Sequence, residues 1–181
     1  MPLKTLRSLL FLPATAEHLL AKATERGADA LVIDLEDAIP PERKAAARPM
    51  AQAAVRQLAE RGATVVLRVN SDPALWQEDL RGMPVEALSA IMLPKVESLD
   101  QVETLAKALI QMRAEQAPPI AALIETPRGV LGAATIASHS ALCPSASHRS
   151  ICTDCARQSG VSTHRWSRRR PRLDLRKSAA R

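Results

Sequence analysis

Residues 120–129 read Ile120-Ala121-Ala122-Leu123-Ile124-Glu125-Thr126-Pro127-Arg128-Gly129. Five apolar residues run without polar alternation and stop at a carboxylate; Pro127 and Gly129 then break the extended chain. A strand with one wet face alternates apolar and polar side chains. A run with no such alternation suits burial on both faces, as in a parallel sheet covered by helices. In such sheets the ligand site lies at the carboxyl ends of the strands. Glu125 stands at that end, and three earlier segments finish the same way.

Those segments punctuate the chain regularly. Residues 6–12 form an apolar run closed by Pro13, and a helix expected over 17–26 meets a glycine stop at Gly27. Residues 30–35 are the second strand, ending in Asp34-Leu35-Glu36-Asp37. Beyond Pro40-Pro41 an Ala-rich helix over 42–61 stops at Gly62. Residues 64–69 are the third strand, which contains Arg68 and is followed by Asn70. Residues 71–85 read as a longer excursion holding Pro73, Trp76 and Pro84. Residues 90–93 are the fourth strand, ending at Pro94-Lys95, and a helix over 99–115 follows. Pro118-Pro119 lead into the fifth strand, and 128–138 start the next helix. Five strand-then-helix units in strict alternation predict a parallel α/β fold. A barrel and an open doubly wound sheet both satisfy that pattern. No Gly-x-Gly-x-x-Gly follows the first strand, so the dinucleotide-binding sheet lacks its fingerprint. The sequence therefore favours an incomplete (β/α)8 barrel of TIM type, with about five of its units.

The 181 residues suffice for one domain with a real core. Aromatic residues make up only 2% of the chain, so that core must be built from Leu, Ile, Val and Ala. No apolar run approaches the roughly 20 residues of a membrane span. The short run before Pro13 has no signal-peptide core or cleavage site, so the expected setting is cytoplasmic, with no membrane partner.

The net charge of +6 hides two materials. Residues 1–139 carry 15 Lys and Arg against 17 Asp and Glu, whereas 140–181 carry 10 against 2, with all three cysteines. The first part is expected to be the barrel segment, and the second a disordered Arg/Ser/Cys-rich tail. Three readings of the tail stand open. A frameshift or gene-model error would leave such a composition. Arg168-Arg169-Arg170-Pro171-Arg172 beside Trp166 is a patch able to neutralise phosphates, which makes a non-catalytic nucleic-acid-binding fragment the alternative to an enzyme. Cys143, His148, Cys152 and Cys155 could form a small zinc site, although the Cys-x4-His spacing is irregular.

Collected at one face of the expected sheet are Asp34, Glu36 and Asp37, then Arg68 with Asn70, then Lys95, then Glu125. Hard cations such as Mg2+ take carboxylate and water oxygens, and arginine offers a planar fork suited to a carboxylate. Together they suggest a metal held against an oxygen-rich, carboxylate-bearing substrate, where it can stabilise a developing enolate. Each residue also has a structural reading. Asp34 to Asp37 can be a polar capping loop, Arg68 a salt-bridge partner inside an apolar strand, Lys95 a solvated turn residue, and Glu125 a structural carboxylate.

In order and spacing, Arg7-Ser-Leu-Leu-Phe-Leu-Pro13, Gly27-Ala-Asp-Ala-Leu-Val-Ile-Asp-Leu-Glu-Asp37, Arg68-Val-Asn70, Leu93-Pro-Lys-Val-Glu97 and Ile124-Glu-Thr126 resemble the HpcH/HpaI aldolase and citrate lyase β-subunit family over about residues 5–138. The resemblance implies a (β/α)8 barrel and Mg2+-dependent cleavage or formation of carbon–carbon bonds next to carboxylates. Its substrates are often acyl-CoA thioesters such as citryl-CoA or malyl-CoA, and its assemblies trimers or hexamers. It also implies that Glu125 is one of two protein ligands of the metal and Arg68 the clamp on an oxaloacetate- or glyoxylate-like carboxylate. Glu36 and Asp37 would order the metal's waters. The implied chemistry is a retro-aldol or retro-Claisen cleavage with the metal polarising the enolate or keto oxygen.

The sequence departs from the family in two places. Pro13 is followed by Ala14 where many members have glycine, in the loop that helps receive CoA. The second metal-ligating aspartate, expected in a Gly-x-x-Asp-like segment after a sixth strand, has no counterpart in Leu142 to Cys152, and Asp154 has no strand before it. A full barrel needs about 250 residues. The chain as written is thus expected to be poorly soluble and of negligible lyase activity.

Overall fold

The computed structural model describes residues 6–112 and 117–138. The basic stretch 140–181, with its nucleic-acid and zinc readings, lies outside the described residues. Five parallel strands form one sheet: β1 (Leu9–Pro13), β2 (Ala30–Asp34), β3 (Val65–Arg68), β4 (Ala90–Leu93) and β5 (Ile120–Ala122). Each is followed by a helix: α1 (Glu17–Ala21), α2 (Lys44–Glu60), α3 (Pro73–Leu80), α4 (Leu99–Gln111) and α5 (Pro127–Ser138).

The strand order is β1-β2-β3-β4-β5, sequential with no reversal. A doubly wound sheet reverses direction at a switch point and carries helices on both faces. Here all five helices lie on one face. The larger apolar cluster joins Leu31, Ile33, Val65, Leu67, Ile91 and Ile120 to Leu20, Val55, Trp76, Leu105 and Ile136, one from each helix. Among the described residues the opposite face is made of strand and strand-end residues, with Ala30, Val32, Val66, Ala90, Met92 and Ala121 each 2% exposed or less. Right-handed crossovers repeated in one direction give this one-sided winding, and it is the winding of a barrel. The period-2 alternation between the two clusters puts Phe11, Asp34, Arg68 and Glu125 in register with the inner face.

Several element boundaries differ from the sequence reading. The helix expected over 17–26 ends at Ala21, and Ala23–Arg26 tightens into a 3-10 turn before Gly27 at φ 71. The excursion after β3 contains α3, capped by Asp72, whose side chain accepts the Ala74 N–H at 2.8 Å. Asp72-Pro73 is an N-cap followed by proline at the first helical position, so the helix was announced in the sequence. β5 is shorter than its apolar run, yet the ladder continues as Leu123 N–H donates to Leu93 O at 2.9 Å. Among the described residues no helix is long and apolar enough to cross a membrane.

Candidate active site

The inner-face register decides what meets at the carboxyl ends of the strands. Asp34 and Arg68 end β2 and β3 as paired positions, so their side chains emerge on the same face side by side. Arg68 forks onto Asp34, with Nε donating to Oδ1 at 2.8 Å and Nη2 to Oδ2 at 2.5 Å. Its remaining terminal nitrogen, Nη1, lies 3.3 Å from Glu36 Oε2 and 3.8 Å from Asp37 Oδ2. Phe11, in the middle of β1 and 39% exposed, places its ring centroid 5.1 Å from the guanidinium carbon, a cation–π distance. Asp34 also turns the chain after β2, accepting the Glu36 and Ala38 N–H groups. That turn brings Glu36 back over the sheet.

Lys95 joins the two halves of the site. It sits one residue beyond Pro94 with φ 52, a left-handed conformation that is costly for a side chain bearing Cβ. In that conformation its backbone N–H donates to Glu125 Oε1 at 3.0 Å. Its ammonium reaches the other way, 2.8 Å from Glu36 Oε1 and 3.0 Å from Asp37 Oδ1. Glu36 is 4% exposed, and although ion-paired, neither of its oxygens has an aligned hydrogen-bond donor.

The electrostatics follow from this packing. Burial pushes the Glu36 carboxyl above its ordinary value, against the pull of Lys95. The hydrogen bond from Lys95 holds Asp37 below the usual carboxylate range. Contact with Glu36, then Asp37, raises Lys95. Burial works against the Arg68 charge, and Asp34 with the neighbouring carboxylates outweighs it, so Arg68 is raised as well.

Six of the seven residues expected at the site, Asp34, Glu36, Asp37, Arg68, Lys95 and Glu125, converge here. Asn70 is turned away. Its Nδ2 donates to Asp79 at 2.6 Å and its Oδ1 accepts from Lys44. Sequence reading missed Phe11, Lys44 and Asp79. Phe11 was legible from the inner-face alternation of β1, and Asp79 from the helix that Asp72-Pro73 starts.

A divalent cation at this mouth would meet oxygen donors. Glu125 is an exposed carboxylate, and the two Glu36 oxygens lack aligned donors, which suits a hard ion and its water shell. Mg2+ characteristically takes one or two protein carboxylates and keeps several waters. Among the described residues no group of three or more His, Cys, Asp or Glu gathers as a metal cage, and a water-rich Mg2+ site does not need one.

The model of the HpcH/HpaI aldolase/citrate lyase family matches residues 7–144. A citrate lyase subunit beta-like protein of Deinococcus radiodurans is 40% identical, the match covering 75% of this chain and 48% of that protein. A (3S)-malyl-CoA thioesterase of Cereibacter sphaeroides is 32% identical, over 74% of this chain and 45% of that protein. The chain thus spans about half the length of the curated relatives it matches. The citrate lyase beta subunit of M. tuberculosis, solved with oxaloacetate and magnesium, superimposes with a TM-score of 0.57 at 27% identity, covering 88% of this chain and 78% of that one. One-sided parallel winding, an Arg68–carboxylate cluster at the strand ends and a family match across residues 7–144 agree: the chain belongs to the HpcH/HpaI aldolase/citrate lyase family.

Proposed function

We propose that this chain forms the N-terminal part of a Mg2+-dependent carbon–carbon lyase acting on a carboxylate-bearing substrate, an acyl-CoA thioester such as citryl-CoA or malyl-CoA. The observation that carries the reading is the convergence of Arg68, Glu36 and Asp37 with Lys95, whose backbone holds Glu125. The oxaloacetate- and magnesium-bound relative supports the metal and the oxo acid, and the relative named a (3S)-malyl-CoA thioesterase supports the acyl-CoA substrate class alone.

Arg68 is fixed by Asp34 through two of its nitrogens, and a substrate carboxylate or oxo group would meet Nη1 in place of its present ion pairs with Glu36 and Asp37. Phe11 lies against the guanidinium, whose plane is set by the two bonds to Asp34. Glu125 is the carboxylate for Mg2+, and Glu36 and Asp37 are acceptors for the waters such an ion keeps. When bound, Mg2+ supplies a Lewis acid that polarises an oxygen on the substrate. Lys95 holds the acidic pair and Glu125 in one frame.

Product analysis tests the proposal, with malyl-CoA and citryl-CoA offered to a chain extended to the length of the relatives. A lyase gives acetyl-CoA with glyoxylate or oxaloacetate in equal amounts; a thioesterase gives free CoA thiol and the intact acid. Arg68→Ala and Glu125→Ala should each cut cleavage at least tenfold, roughly 1.4 kcal/mol of barrier. Thiol release without keto acid would overturn the carbon–carbon assignment.

A further inference from the structure

Behind the acidic turn runs a polar chain that the functional reading does not use. Lys44, in the first turn of α2, sends its ammonium back under the loop that follows β2. Nζ donates to Leu35 O at 3.0 Å, to Glu36 O at 3.0 Å and to Asn70 Oδ1. An ammonium has three protons, and here three acceptors converge on it. Asn70, buried at the end of β3, is held in turn by Asp79 Oδ2 through both its backbone N–H and its Nδ2. Asp79 is wholly buried in α3, and its second oxygen accepts from Arg48 Nε at 3.0 Å. The series Arg48, Asp79, Asn70, Lys44 therefore starts between two helices and ends on the two carbonyls flanking the Cα of Glu36. Buried polar groups joined this way rigidify what they hold, because leaving any member unpaired is costly.

We infer that Lys44 is a positioning residue. It fixes the Leu35–Glu36 turn so that the Glu36 carboxylate stands against Arg68 and Lys95, with Asn70, two residues beyond β3, as its anchor. The inference rests on the proposed function only where it links the turn to ligand binding. The turn's order is a property of the chain itself. Lys44 meets the turn through the Leu35 and Glu36 backbone carbonyls, so it acts on Glu36 by holding its backbone.

The test uses the full chain and amide hydrogen exchange, with oxaloacetate and Mg2+ as the binding probe. Lys44→Met should speed exchange at the Glu36 and Ala38 amides at least tenfold, while Val32, Ile33 and the α4 amides stay within twofold. Its Mg2+-dependent affinity for oxaloacetate should fall at least tenfold. Lys44→Arg, which retains donors for both carbonyls, should recover most of the protection. Lys44→Gln serves as the second variant if the methionine chain does not fold. Exchange that is unchanged, or faster evenly across the chain, overturns the inference, since an ordinary stability contact gives the even pattern. A loosened turn with unaltered oxaloacetate affinity also overturns it. A loosened turn in a protein whose wild type binds no oxaloacetate upholds the hold of Lys44 on the turn and removes the proposed function instead.

Discussion

Asp34 and Arg68 face each other as register partners at the ends of β2 and β3 and are joined by two N–H···O bonds on the inner face of the sheet. The pair is nearly sealed from solvent, its side chains being 2% and 11% exposed. Removing one partner of a buried pair leaves the other charge uncompensated, typically at a cost of about 3–5 kcal/mol. Arg68→Ala should therefore lower the denaturant midpoint substantially as well as weaken ligand binding. Arg68→Lys, which keeps the charge but loses the fork, should fall between. Equal stability of wild type and Arg68→Ala would show that Asp34 is satisfied without its partner.

Glu36 gives a pH signature. Burial raises its carboxyl above the ordinary 4.5 despite Lys95 and Arg68. A carboxyl raised in the folded state contributes stability that is complete below the unfolded value and is lost as pH rises through the folded value. Glu36→Gln should accordingly be more stable than wild type at pH 7, and the difference should shrink to nothing as pH falls below about 4.5. Thermal melts in EDTA across that range measure it. A glutamine variant that is less stable at pH 7 would mean the ion pairs outweigh the burial.

Gly129 marks where α5 meets the loop after β4. A Cβ there would stand 2.3 Å from Val96 O, a backbone atom that cannot swing aside. Gly129→Ala should cost about 2–3 kcal/mol through forced backbone displacement, read as a fall in the urea midpoint at unchanged slope. A neutral substitution would mean that α5 can shift freely at its first turn.

Much of this was legible in the sequence because a buried parallel strand leaves a simple trace. The apolar stretch before Glu125 and the run before Asp34 located strands and their carboxyl ends, and from these the convergence of Arg68 and the carboxylates followed. Asp72-Pro73 announced α3, but the prolines at 73 and 84 drew attention to chain breaks instead of to the cap. The roles of Asn70 and Lys44 were not legible. Nothing in composition or spacing tells whether an amide at a strand end turns toward the mouth or toward a helix behind it; here a buried aspartate in α3 takes it. The position of Lys95 depends on a left-handed backbone that the sequence does not signal, since lysine has no preference for it.

The central claim is that Glu125 and the Arg68 cluster bind Mg2+ together with an oxo acid. Titration calorimetry of oxaloacetate into the intact chain, with Mg2+ and then with EDTA, tests it most directly, with Glu125→Gln as the variant and circular dichroism confirming its fold. The account predicts saturable heat that requires Mg2+ and an affinity at least tenfold lower in Glu125→Gln. Binding that persists unchanged in EDTA or in the folded Glu125→Gln chain, or no binding by the wild type, would contradict it.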